Sequence, residues 1–256
     1  MDAGMVVYLV VALGAMVAGF VQGLSGFAFG MVAMSFWAWT LDPRLAAALS
    51  VFGALVGQVL AVFTVRRGFQ FRTLLPFVLG GLAGIPLGVA VLPQLDMVWF
   101  KALLGSFLAI WCPLMLMARS LPPITTGGRF GDALAGLAGG MLSGIGGFAG
   151  PVPTLWSTLR GFGKDEQRAV IQNFNLAMLA VTLATYVGRG MVTAPMLPYF
   201  AIVAPAMLVP TLLGARVYIG ISEARFRQIV LGLLTASGLA MLAASVPPLL
   251  ARGSGA

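Results

Sequence analysis

The chain carries very little charge for its length. Of its 256 residues, 9% are charged and 60% are hydrophobic, whereas soluble domains carry about 25% charged residues. So few polar side chains cannot cover the surface of a soluble fold of this size. The composition therefore excludes a soluble globular protein and predicts a surface that faces lipid.

Histidine is absent, and cysteine occurs once, at Cys112 inside an apolar stretch. A single cysteine cannot form an intramolecular disulfide. Zinc and haem sites depend mainly on histidine and cysteine ligands. We therefore predict no metal site and no cofactor.

Acidic residues are few, and their positions exclude several functions. All seven lie at the ends of apolar stretches, so we expect no buried carboxylate within a span. A membrane enzyme needs an acid, a base or a nucleophile in its site, and proton-driven carriers commonly use a buried carboxylate or histidine. We predict that the chain is not an enzyme, and that any coupled proton travels on the substrate. The seven are Asp2, Asp42, Asp96, Asp132, Asp165, Glu166 and Glu223.

Long apolar stretches make up nearly all of the chain. A helix needs about 20 residues to cross the hydrocarbon core, and these stretches are too continuous for the alternating strands of a membrane barrel. The predicted fold class is an all-α integral membrane protein that forms a single membrane domain over residues 1–256, with the lipid bilayer around it. The stretches lie at about 4–22, 26–40, 45–65, 73–92, 98–118, 131–145, 148–160, 168–188, 194–219 and 226–247.

The two halves of the chain resemble each other on either side of a linker at 119–130. Gly26-Phe27-Ala28 matches Gly147-Phe148-Ala149, and Leu75-Pro76-Phe77 matches Leu197-Pro198-Tyr199. The offset, defined here as the difference in residue number between two matched residues, grows slowly along the chain. It is 121 at Gly26 and 126 at Gly88, which matches Gly214. We predict two structural repeats, 4–118 and 131–247. Further matches pair Gly19 with Gly140, Gly23 with Gly144, Arg67-Gly68 with Arg189-Gly190, and Phe100-Lys101 with Phe226-Arg227.

Each repeat begins with an apolar segment that glycines interrupt. A straight helix over 4–40 would be about 55 Å long, too long for one span. We predict that each segment is a broken-helix hairpin that enters and leaves on one side of the membrane, followed by three transmembrane helices. An odd number of crossings gives the two repeats inverted topology, a design common among transporters.

The distribution of basic residues supports the hairpins. With hairpins, four of the 15 Lys and Arg fall on one side (Arg44, Lys101, Arg189 and Arg252) and the other 11 share the opposite side. If every stretch crossed the membrane once, the split would be 7 to 8, without the expected cytoplasmic excess. We therefore predict that both termini are non-cytoplasmic. Because these residues are scattered between spans, the net charge of +8 predicts no nucleic-acid partner.

The two glycine-rich breaks are the candidate site for a small anionic substrate. Half-helices beginning near Phe27 and Phe148 would point free N–H groups and the positive ends of their dipoles at the breaks. Polar residues inside spans could add side-chain contacts, although bonding between helices is an equally good explanation for them. The candidate substrate-binding residues are Gln22, Gly23, Ser25, Gly26, Phe27, Gln58, Ser143, Gly144, Gly146, Gly147, Phe148 and Asn173.

Two other series of glycines have the spacing that packs membrane helices closely. Gly80, Gly84 and Gly88 form one series, and Gly136, Gly140 and Gly144 form the other. We expect helix packing at both.

The sequence resembles the TauE/SafE sulfite exporter family, also called the toluene-sulfonate uptake permease family. The resemblance rests on residues 19–27 (GFVQGLSGF) and 139–148 (GGMLSGIGGF), on Pro151 after the second motif, and on the ending Gly214-Ala215-Arg216. Where the family often has small hydroxyl residues after the second motif, this chain has Asn173 and Asn175.

The resemblance implies a secondary transporter or facilitator in the inner (plasma) membrane that moves sulfur-containing oxyanions or organosulfonates. We expect export of a sulfite-like or sulfoacetate-like anion by alternating access around a midplane site, with a homodimer as one possible assembly. The alternatives are an uptake permease for another small organic anion and a membrane assembly subunit without transport.

Topology can be tested by labelling introduced cysteines from one side of intact cells. If the loops at 66–72, 119–130, 160–168 and 216–225 are cytoplasmic and the termini are outside, Gly68→Cys and Ser254→Cys should react with an impermeant reagent from opposite sides. Labelling of both positions from the same side would contradict the hairpins.

Overall fold

The computed structural model describes residues 3–64, 68–118, 124, 126–217 and 223–253. Within these residues the chain folds into ten α-helices. They are α1 (Ala3–Ser25), α2 (Phe29–Trp37), α3 (Pro43–Thr64), α4 (Phe71–Val91), α5 (Met97–Met117), α6 (Gly128–Gly146), α7 (Pro151–Leu159), α8 (Lys164–Gly188), α9 (Leu197–Val217) and α10 (Glu223–Gly253). The predictions that concern Arg66, Arg67, Arg119 and half of the linker 119–130 lie outside the described residues, as do the side chains at 225–227.

Seven of the helices in the described part of the chain are long and apolar enough to cross a membrane. Six of them (α3, α4, α5, α8, α9 and α10) are the spans predicted from the sequence, and the seventh is α1. The helical, multi-pass membrane character of the chain is thereby confirmed.

The α1–α2 pair is a hairpin with arms of unequal length. Helix α1 has 23 residues and α2 has nine, which gives about 34 Å and about 14 Å. The indole Nε1 of Trp37, at the end of α2, donates to the carbonyl oxygen of Val10 across 3.3 Å. Helix α1 continues past Val10 toward the N-terminus, beyond the level where α2 ends. With this extension, α1 is long enough to span the membrane. The sequence predicts a hairpin that enters and leaves on one side, without such an extension.

The α6–α7 hairpin is closed by a buried ion pair. Asp132, one turn into α6, is 2% exposed; Arg160, which follows α7, donates to both of its carboxylate oxygens at 2.7 Å. The indole Nε1 of Trp156 donates to the same carboxylate at 2.8 Å. The expectation of no buried carboxylate was therefore wrong. Its charge is tolerated because a guanidinium and an indole compensate it, as buried charges require.

Closely packed glycine seams join the first half of the chain to the second. A Cβ atom on Gly84 of α4 would overlap the carbonyl oxygen of Leu137 in α6, and one on Gly140 would overlap that of Gly81. Gly80, Gly88, Gly136 and Gly144 make the same kind of contact along the seam. The packing role predicted for these two glycine series is confirmed.

A second seam joins α1 to α9 through residues that match the first. Gly19 packs on Met207, and Gly140 packs on Gly81. The residue numbers of Gly19 and Gly140 differ by 121, and those of their partners Gly81 and Met207 differ by 126. Gly214 packs on Phe20, just as Gly88 packs on Met141, with the same two offsets. Each hairpin is therefore held by the fourth helix of the other half.

The seam can be tested with two glycine-to-alanine variants in detergent. Alanine favours a helix over glycine by about 1 kcal/mol, but a Cβ on Gly84 would also meet the α6 backbone. That overpacking costs about 1–3 kcal/mol. Gly84→Ala should lower the midpoint of thermal unfolding. Gly232→Ala, whose Cβ meets nothing within 4 Å, should leave it unchanged or raise it. Equal midpoints for the two variants would contradict the seam.

Candidate functional site

Each hairpin turns at a glycine in the left-handed region of backbone conformation. Gly26 has φ of 82° and Gly147 has φ of 79°, values that favour glycine at the end of a helix. The N–H of Gly26 donates to the carbonyl oxygen of Gln22 at 2.7 Å, and that of Gly147 donates to Ser143 at 2.9 Å. The two breaks, here defined as residues 22–28 and 143–150, thus share their turn geometry at matching positions.

The two breaks lie against each other. A Cβ on Gly30, at the start of α2, would be 3.0 Å from the carbonyl oxygen of Gly147 and 3.2 Å from that of Gly146. A Cβ on Gly150 would be 3.1 Å from the Cβ of Phe27. Glycine at both positions permits this approach. The structure therefore brings together the two segments that the sequence singled out.

Helix α3 passes both breaks, one on each side of its midpoint. The Ser50 hydroxyl donates to the carbonyl oxygen of Gly146 at 2.7 Å, and the Gln58 amide donates to that of Gly26 at 2.6 Å. Eight residues separate Ser50 from Gln58, or about 12 Å along the helix. The breaks are therefore adjacent but staggered about the middle of α3.

Helix α8 passes the same breaks in the opposite order. Its Gln172 lies beside Gly26 in the first break. Further along, the Thr182 and Ser143 hydroxyls hydrogen-bond at 2.9 Å, and the Tyr186 hydroxyl donates to Gly144 at 2.8 Å. Helices α3 and α8 therefore run in opposite directions past the two breaks.

The start of α2 is capped by side chains of the chain itself. The Gln22 side-chain oxygen accepts from the N–H of Phe29 at 3.0 Å. The Ser25 hydroxyl accepts from the N–H of Ala28 at 3.2 Å and from that of Phe27 at 3.4 Å. The helix itself begins at Phe29. The N–H groups of Phe27, Ala28 and Phe29, which the sequence predicted to be free for a substrate, already have these side-chain acceptors.

The start of α7 offers few donors for another reason. This helix begins at Pro151 rather than near Phe148, and Pro153 follows. Proline has no N–H group, so among the first three helix positions only Val152 carries one. The two helix starts therefore offer fewer free N–H groups than the sequence predicted, and an anion site built from both N-termini stays a prediction.

Two buried amides on α8 have side-chain oxygens that no N–H or O–H group in the described part of the chain reaches. Gln172 is 7% exposed and Asn175 is 2% exposed, and among the described residues neither side-chain oxygen has a hydrogen-bond partner. Asn175 lies against Gly150 and Phe27, so the amides reach both breaks. A buried, unpaired polar group is costly, and such an exception indicates a place where a ligand can bind.

The predicted site residues fall into three groups. Gln22, Ser25, Gly26, Phe27, Gln58, Ser143, Gly146, Gly147 and Phe148 line or support the breaks. Gly23 and Gly144 lie within the seams, against Thr211 of α9 and Ile85 of α4. Asn173 lies apart from the breaks, because its amide donates to the carbonyl oxygens of Gly68 and Ala169 at 3.1 and 2.8 Å.

Sequence reasoning noted Asn175 without selecting it and missed Gln172. Two signals point to them. The offset of 122 at Arg67-Gly68 pairs Ser50, which supports the second break, with Gln172. The i, i+3 spacing of Gln172 and Asn175 also places them on one helix face, which Asn173 does not share.

The breaks differ in accessibility. Ser25, Gly26 and Phe27 are partly exposed, whereas Gly146–Gly150 are buried. The first break lies toward the end of the molecule where α4, α6 and α8 begin, which Arg72, Arg129 and Arg168 also occupy. The opening therefore leads to the end with these basic residues.

Comparison with known proteins gives one match. The family model described as "Sulfite exporter TauE/SafE" matches residues 11–241. No curated protein and no solved structure matches the chain.

The capping role of Gln22 predicts a stability effect separate from any substrate. Gln22→Ala would leave the buried N–H of Phe29 without its acceptor, at a cost of about 1–3 kcal/mol, and should lower the thermal midpoint in detergent without substrate. The control is Gln94→Ala, since Gln94 is exposed and bonds only Ala90 in its own turn. Equal midpoints for the two variants would contradict the cap.

Proposed function

The chain belongs to the TauE/SafE sulfite exporter family, whose members are membrane transporters, and on that premise we propose that it exports a small sulfur-containing anion across the cytoplasmic membrane. The proposed substrates are sulfite-like oxyanions or organosulfonates such as sulfoacetate. They would bind between the two breaks, near the middle of the bilayer.

The observation that carries the proposal is the pair of unpaired amides, Gln172 and Asn175. The atoms without partners within the described residues are the side-chain oxygens, which are acceptors. Rotation of the amide group exchanges its oxygen and its NH2, and the two N–H donors then face the anion. Hydrogen bonds to a charged partner are worth about 1.5–3 kcal/mol. Neutral donors of this kind hold an oxyanion without neutralising it, so binding stays weak enough for release during each cycle.

Alternating access is supported by three features of the breaks. They are staggered about the middle of α3, and α3 and α8 pass them in opposite directions. Residues 25–27 of the first break are partly exposed, whereas residues 146–150 of the second are buried. We propose that the repeats are inverted and that this conformation opens to the cytoplasm, because its open end carries Arg72, Arg129 and Arg168. A substrate loaded from that end fits export.

The proposed site can be tested by anion flux in proteoliposomes. Asn175→Ala should lower sulfite flux at least about tenfold, because one hydrogen bond to the anion is lost. Asn173→Ala, the neighbouring asparagine outside the site, should keep flux within about twofold. Because Asn175 has no partner for its oxygen in the empty protein, Asn175→Ala should not lower the thermal midpoint. Loss of flux together with loss of stability would argue for a structural role.

Substrate class and direction need separate measurements. In a panel of sulfite, thiosulfate, taurine, sulfoacetate and lactate, the sulfur oxyanions and sulfoacetate should move fastest, and better transport of taurine, which is zwitterionic, would contradict the proposed site. In cells loaded with sulfite, the wild-type protein should speed its loss to the medium. Faster accumulation from the medium would indicate an uptake permease, and no flux in either assay would indicate an assembly subunit.

A further inference from the structure

A basic groove lies on the outer surface where α4 and α6 begin. It encloses about 500 Å³ and is lined by Phe71, Arg72, Leu75, Pro76, Leu79, Arg129 and Ala133. The two helices start together and run side by side, as the seam contacts from Gly80–Ala133 to Gly88–Met141 show. The groove therefore spans both halves of the chain at one end of the molecule.

The groove divides into a cationic end and an apolar wall. Arg72 and Arg129 are the second residues of α4 and α6, both are exposed, and among the described residues neither has an acidic partner. From Phe71 to Leu79 the wall follows α4 for about 12 Å. Phe71 and Leu79 are each 58% exposed, so the wall has no protein cover within the described residues.

The starts of the two helices add to the positive character of that end. Neither α4 nor α6 has a side-chain hydrogen bond at its N-cap, Gln70 or Gly127. Uncapped N–H groups and the helix dipoles attract negative charge. Two guanidinium groups and two helix starts thus face the same water-exposed space above an apolar wall.

We infer that this groove binds an anionic phospholipid, with the phosphate between Arg72 and Arg129 and an acyl chain along Leu75 and Leu79. A free phosphate would bind the two arginines but would leave the apolar wall uncovered. A zwitterionic lipid would pack an acyl chain on the wall, but its headgroup would bring a positive group to a cationic site. Basic pockets between membrane helices are known to take anionic headgroups.

The corresponding position in the other half of the chain lacks the charge of Arg129. Arg129 corresponds to Tyr8 at the offset of 121, and Tyr8 packs against Tyr199 of α9 with ring centroids 5.1 Å apart. Tyrosines of this kind favour the membrane interface without selecting anionic lipids. Within the part of the chain that the structure describes, the inferred lipid site therefore lies at one end of the molecule. The lipid would contact both halves of the chain there, independently of which substrate is transported.

The test is native mass spectrometry of the purified full-length protein, titrated with phosphatidylglycerol, with phosphatidylcholine and with inorganic phosphate. The wild type should retain phosphatidylglycerol well above phosphatidylcholine. The double variant Arg72→Gln/Arg129→Gln should bind phosphatidylglycerol about 10- to 30-fold more weakly, since each basic residue near an anionic headgroup contributes about fivefold. Arg189→Gln/Arg216→Gln removes two other exposed charges and should bind as the wild type does.

A second pair of variants separates a lipid from a free anion. Leu79→Gln should weaken phosphatidylglycerol binding and leave any binding of inorganic phosphate unchanged, whereas Leu233→Gln, equally exposed on α10, should change neither. Equal loss in the two arginine double variants, equal retention of the two lipids, or stabilisation by inorganic phosphate that matches that of the lipid would each overturn the inference.

Discussion

The structure depends on one constraint, that backbone polar groups within a bilayer must find partners inside the protein. A broken helix violates the constraint at its break, because the interrupted turns leave carbonyl and N–H groups without helical partners. Here polar side chains from the spans supply the missing bonds. Ser50 and Tyr186 donate to carbonyl oxygens of the second break, and Gln58 donates to one in the first. Several of the few polar side chains inside the spans therefore support the breaks.

The same constraint makes the two buried amides of α8 exceptional. Gln172 and Asn175 are also buried, but their oxygen atoms have no partner within the described residues. A membrane protein with so few polar groups gains nothing in stability from leaving two of them unpaired. Their state is understandable if the two amides rotate and donate their N–H groups to a solute during part of the transport cycle.

Much of the fold could be predicted from the sequence, because long apolar stretches and glycine breaks are signals that single residues carry. The helix order, the two breaks and the Gly-xxx-Gly packing follow from such signals. Other features depend on which face of a helix a residue occupies. The burial of Asp132 depends on Arg160 reaching it from the end of α7, and the choice of Gln172 and Asn175 over Asn173 depends on a difference of one residue in register. Residue spacing alone did not reveal that the Gln22 and Ser25 side chains would accept from the N–H groups at the start of α2. These contacts form only because the chain turns at Gly26.

The two glycine seams also determine which parts of the molecule can move together. Backbone contacts along α4–α6 and α1–α9 tie each hairpin to a helix from the other half of the chain. The arrangement is that of a domain-swapped dimer contained in one polypeptide, with the hairpins as the exchanged elements. Rigid units therefore do not coincide with the first and second halves of the sequence. An isolated half of the chain would lack the surface against which its own hairpin packs.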